Sequence, residues 1–136
     1  MSEKTIFQKI IDEDIPADKI WEDENTFVFL DAFPVAPGHT LVIPKKPYKN
    51  IYEMPEKEAG VWFESVTKFA KILKKVTNAD GINIVMNNDE SAGQVVFHAH
   101  IHIIPRFEND GGYEGKKYEY KEGEKEGLIK KVKDSL

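Results

Sequence analysis

The sequence predicts an α+β domain: a five-stranded, mostly antiparallel sheet with one long helix and a short N-terminal helix. Three observations carry this. Short β-prone runs such as "TFVFLD", "HTLVIP" and "GINIVMNN" are bounded by Pro, Gly or Asn/Asp turns. One long segment has helical rather than alternating apolar spacing. The connections between them are short, which favours neighbouring antiparallel strands. At 136 residues the chain has room for a hydrophobic core, and its 40% apolar and 32% charged residues are those of an ordinary globular protein.

Taken in order, "TIFQKIID" places Ile6, Phe7, Ile10 and Ile11 at helical spacing, and Pro16 closes that helix. A hairpin follows, with strands at 19–23 and 26–31 and a turn at Asp23–Asn25. Pro37 and Gly38 make a sharp turn before His39 opens a third strand, which Pro44 and Pro47 end. The helix runs from Glu56 to Val76, where Trp62, Val66, Phe69, Leu73 and Val76 form a core stripe. A strand at 81–88, a loop at "DESAG" and a long closing strand over "QVVFHAHIHIIP" complete the sheet. Residues 1–109 are expected to form the domain. Residues 110–136 read as a polar, loosely packed charged tail, with Leu128, Ile129 and Val132 allowing a short terminal helix.

Composition excludes several functions. The chain has no cysteine, hence no disulfide, thiolate nucleophile or cysteine zinc knuckle. A net charge of −5 argues against nucleic-acid binding, and the one basic cluster outside the tail, Lys45, Lys46 and Lys49, reads as a solvated turn. No apolar run suits a membrane span and the charged N-terminus is not a secretory signal, so a cytoplasmic protein without membrane attachment is expected.

The informative stretch is "FHAHIHIIPR", which holds His98, His100 and His102, three of the chain's four histidines. On a strand these share one face, about 6.8 Å apart, while Ala99, Ile101 and Ile103 turn toward the helix. Three readings compete: a metal site, a catalytic row, or a wetted strand face. Two ligands of one zinc lie at most ~4 Å apart, so His98 and His102, roughly 13–14 Å apart on a strand, cannot both bind one ion. Catalysis fits the spacing best. Neutral imidazole is a strong nucleophile near pH 7, and it approaches a phosphate anion without carboxylate repulsion. Attack through Nε2 requires the proton to stay on Nδ1 and to be given to a fixed acceptor, a role open to a backbone carbonyl of the same strand.

"HAHIHII" resembles the signature of the histidine triad family of nucleotide hydrolases and transferases. The resemblance extends over "TIFQKII", "FLDAFPVAPGHTLVIPKK" and "MNNDESAGQVVFHAHIHIIPR", and is greatest toward the branch of small adenosine-phosphate-binding proteins with phosphoramidase activity. It implies a HIT-like fold and a homodimer whose sheets join. It also implies a purine nucleotide substrate, such as an AMP derivative, cleaved at the α-phosphorus. His100 would be the nucleophile, oriented by the carbonyl of His98. His102 would contact phosphate or leaving group, and His39 would complete the row. Asn87, Gly93 and Gln94 would hold phosphate oxygens, with Val95 beside them. Asp31 would accept the ribose hydroxyls, and Phe7, Ile10, Phe29, Leu30 and Ala32 would line the purine slot. Plain alternatives stand beside these: core packing for Phe7, Ile10 and Phe29, a strand stop for Asp31, and hairpin roles for Asn87 and Gln94.

Two departures from the family pattern matter. Where some bacterial relatives carry structural zinc ligands, this chain has Thr5, Gln8 and Pro47, so no metal and no cofactor is expected. Where relatives often have Ser or Thr as a donor to the leaving group, it has Val95. A phosphoramidase is the first expectation, a dinucleoside polyphosphate hydrolase of the same family the second. A non-catalytic nucleotide-binding or scaffold protein is the rival from another class.

Overall fold

The computed structural model describes residues 3–136; residues 1 and 2, at the start of the expected domain, lie outside the described residues. Ten elements follow in order: α1 (Ile6–Ile11), β1 (Lys19–Glu22), β2 (Thr26–Leu30), β3 (Thr40–Pro44), a 3-10 turn (Ile51–Glu53), α2 (Glu56–Thr77), β4 (Gly81–Val85), a second 3-10 turn (Glu90–Ala92), β5 (Ile101–Arg106) and α3 (Glu124–Asp134). The sheet order is β1-β2-β3-β5-β4, and every neighbouring pair is antiparallel.

Local chemistry explains most boundaries. Thr5 caps α1, its Oγ1 accepting from the Gln8 amide at 3.1 Å. The β1–β2 turn has no glycine because the Asp23 carboxylate accepts from the Asn25 and Thr26 amides at 2.9 and 2.8 Å. α2 carries Glu56 and Glu58 in its first turn and Lys74 and Lys75 in its last, as its dipole favours, and stops at Asn78 in the left-handed conformation. Gly38 is required where it stands. Its φ is +85°, and an added Cβ would lie 2.8 Å from Thr77 Cγ2.

Strand alternation sorts side chains onto two faces. Val28 and Leu30 of β2, Val42 of β3, and Ile101 and Ile103 of β5 face α2, meeting Trp62, Val66, Phe69 and Leu73. Fully burying each such side chain contributes roughly 1.5–3 kcal/mol. Phe27, Phe29, Leu41 and Ile43 point the other way, where α1 lays Phe7 and Ile10 over them. The second face of the sheet is thus partly roofed by α1.

Three expectations change. The closing strand starts only at Ile101, so His98 and His100 lie on the segment leading into β5. The strand expected over 81–88 ends at Val85. The tail is not loose: α3 packs against α2 and β1, with Leu128 and Val132 in the main core. Their four-residue spacing within a glutamate- and lysine-rich stretch is a weak signal, and tertiary burial supplies what local composition lacks.

Candidate active site

β3, β5 and the segment before β5 bring the four histidines onto the α1 face of the sheet. β3 pairs with β5 so that Thr40 faces Ile103 and Leu41 faces His102, which places His39 beside His102. The His100 and His102 rings are 5.2 Å apart, and those of His39 and His102 5.1 Å. Phe7 of α1 sets its ring edge-on to His100 at 5.0 Å and to His98 at 6.1 Å.

Main-chain groups fix the proton on three of these rings. A carbonyl only accepts, so the 2.7 Å contact from His100 Nδ1 to the His98 carbonyl puts the proton on Nδ1 and leaves Nε2 with its lone pair. By the same logic His98 donates from Nε2 to the Pro44 carbonyl at 2.7 Å. The Val35 amide donates to His39 Nδ1 at 3.1 Å, so neutral His39 carries its proton on Nε2. That nitrogen lies 2.9 Å from His102 Nδ1, which must then accept. His102 in turn keeps its proton on Nε2.

Burial disfavours the charged form of three rings, His39, His98 and His100. Burial pushes His39 down to about 4, against the opposing pull of Asp31. Burial also lowers the pKa of His98 and of His100, the hydrogen bond to the His98 carbonyl partly offsetting it for His100. For Asp31, burial opposes ionisation, but hydrogen bonding at its oxygens, the Phe33 amide among the donors, outweighs it and holds the carboxyl below its usual value. Asp31 Oδ2 stands 3.3 Å from His39 Nε2 and 3.6 Å from His102 Nδ1.

Other expected site residues separate. Phe7, Ile10 and Phe29 form one apolar cluster on the histidine face. Leu30 does not join them. It is 2% exposed and points into the α2 core, as alternation with Phe29 dictates. Ala32 and Val95 are exposed. Asn87 Nδ2 reaches the Gly93 carbonyl at only 3.5 Å, a weak bond that leaves the amide free to turn. Gln94 departs from its expected phosphate role: Oε1 accepts from the Asp89 amide, and Nε2 donates to the Lys49 and Val96 carbonyls. Both its N–H donors are occupied in bracing the loop. Sequence reasoning missed Val35 and Pro44, which act through main-chain atoms and so leave no mark in residue type.

Residues 12–109 match the HIT domain. The chain belongs to the HIT family. Among its relatives is an uncharacterized HIT-like protein of Methanocaldococcus jannaschii, 51% identical over 106 residues, covering 78% of this chain and 81% of that one. Adenylylsulfatase HINT3 of Arabidopsis thaliana is 40% identical over 105 residues, covering 77% of this chain and 53% of the plant protein. A zinc-bound histidine triad family protein from Mycobacterium smegmatis superposes with a TM-score of 0.85 at 31% identity, covering 96% of this chain and 94% of that one. This HIT chain therefore has the family's nucleotide-binding and hydrolase fold.

That zinc-bound relative prompts a test of fit. Among the described residues Asp31, His39 and His102 offer ligand atoms within 4.8 Å of one another. To ligate through Nε2, however, neutral His39 would carry its proton on Nδ1, facing the Val35 amide hydrogen. Donor would meet donor. The set does not fit a resident metal, and Thr5 and Gln8 form a helix cap instead.

Proposed function

We propose that this HIT protein is a nucleotide phosphohydrolase that cleaves purine nucleoside phosphoramidates or related adenylylated substrates at the α-phosphorus. One observation carries the reading: the His100 ring is buried, held through Nδ1 by the His98 carbonyl, and so presents an unprotonated Nε2. In the reaction this nitrogen attacks the α-phosphorus, the bond from phosphorus to the leaving nitrogen or oxygen breaks, and a nucleotidyl-histidine forms. Water then attacks the same phosphorus, its proton replacing the one His102 gave up to the leaving group, which releases the nucleoside monophosphate and regenerates His100. His102 Nε2–H donates to the leaving atom or a non-bridging oxygen, filling the place left by Val95. Asp31, ionised at neutral pH, receives the ribose hydroxyls. Phe7, Ile10 and Phe29 form the apolar wall for the purine. The adenylylsulfatase name of the Arabidopsis relative supports adenylyl chemistry.

A homodimer joined at the sheet edge belongs to the same reading, supported by β4 lying at an open edge with Ile84 42% exposed. Light scattering at twice the monomer mass is the expected result.

The deciding experiment screens phosphoramidates, dinucleoside polyphosphates and adenylyl sulfate with wild type and His100→Asn. Wild type turns over the first or third class and yields a trapped adduct on His100. The variant binds nucleoside monophosphate without turnover. Preference for dinucleoside polyphosphates moves the assignment to the second expectation, and inactivity of both chains makes this a binding protein.

A further inference from the structure

We infer that the segment from Tyr118 to Tyr120 is a positioning clamp for the His39–His102 pair, acting through the turn between Pro34 and Gly38. The inference rests on the hydrolase reading for its catalytic consequence, but its structural content stands on hydrogen bonds alone. The Tyr118 amide donates to the Pro34 carbonyl at 2.8 Å, and the Gly38 amide donates to the Tyr120 hydroxyl at 2.9 Å. These two bonds grip the two ends of the turn. Between them sits the Val35 amide that fixes the His39 proton. From below, the turn rests against α2, since Gly38 has no room for a Cβ beside Thr77. The clamp itself is anchored. The Tyr118 and Tyr120 rings pack edge-on at 5.0 Å, the Tyr118 hydroxyl donates to Glu124 in the first turn of α3, and α3 is docked through Leu128 and Val132. Burial pushes the Tyr120 phenol up to about 12, so its hydroxyl stays un-ionised wherever the histidines work.

If the turn loosens, the Val35 amide withdraws and only the Asp31 carboxylate, 3.3 Å from Nε2, is left to favour the Nε2 proton, so the preference for one tautomer weakens. His102 then loses a fixed donor on Nδ1 and is no longer held as a donor on Nε2. Tyr120 acts through His39 and touches no reacting atom.

The test is Tyr120→Phe, which removes one oxygen and keeps the packing. Nitrogen-15 spectra of wild type should show His39 unprotonated at Nδ1 and protonated at Nε2. In Tyr120→Phe the two tautomers mix and kcat falls about fivefold, the order of one lost hydrogen bond, with KM unchanged. Tyr118→Phe loses only the bond to Glu124 and keeps the single tautomer. A single tautomer with unchanged kcat in Tyr120→Phe overturns the clamp, as does a lowered Tm with an unaltered ring spectrum. If Tyr120→Phe fails to fold, amide exchange at Val35 and Gly38 in wild type decides: slow exchange supports the clamp and solvent-rate exchange overturns it. If wild type turns over none of the nucleotide panel, the hydrolase reading fails, and the ring spectra still decide the clamp.

Discussion

His39 Nε2 stands 2.9 Å from His102 Nδ1, with the Val35 amide on the far side of the His39 ring. The pair is therefore polarised in one direction, toward a donor at His102 Nε2. His102→Ala should lower kcat by about 10²-fold on a phosphoramidate with a basic amine leaving group, within the usual span for a general acid. The loss should shrink for a leaving group that departs without a proton. Equal losses on both would remove His102 from proton donation.

His39, His98 and His100 are each held below the ordinary imidazole range by burial. The folded chain thus binds fewer protons than the unfolded chain once pH falls below about 6.5. Their stabilising contribution is complete above that pH and is lost as pH falls through the window, reaching about 4 for His39. The slope approaches about 1.4 kcal/mol per pH unit for each histidine within its window. Urea midpoints at pH 8 and pH 5 should differ accordingly. Equal midpoints would mean that the rings are charged in the folded state.

Gly38→Ala should destabilise by more than about 1 kcal/mol, combining an unfavourable positive φ with a methyl forced against Thr77. Thermal melts check this. A tolerated alanine would show that the turn has slack.

Leu128→Ala should cost about 2–5 kcal/mol, the range for truncating a core leucine, because its side chain lies in the main core at 9% exposure. A negligible change in urea midpoint would return the C-terminal segment to the loosely packed tail that its composition suggests.

Chelator treatment should leave Tm unchanged, since Asp31, His39 and His102 do not fit a resident ion. Stoichiometric zinc in tag-free protein would overturn that conclusion.

Much of this arrangement is legible in residue order. The stripe from Trp62 to Leu73 marks α2 to within a residue, because a long period-3.6 pattern admits one reading. Alternation of Phe27 and Phe29 with Val28 and Leu30 also separates the two faces of the sheet, and only the resemblance drew Leu30 into the purine slot. What stays hidden has a common cause. Gln94 is committed to carbonyls of Lys49 and Val96 that no local pattern brings to it. β5 begins at Ile101 because its pairing with β3 reaches no further back than that residue. Such outcomes depend on where distant backbone lies.

Pro44, His98 and Val35 each address a histidine ring of the candidate site through peptide atoms rather than side chains. Residues that supply only a peptide group are replaceable in kind but not in number. This centre should accordingly withstand extensive point drift around it, yet be disabled by a single insertion or deletion between Asp31 and His39 or between Gln94 and His100.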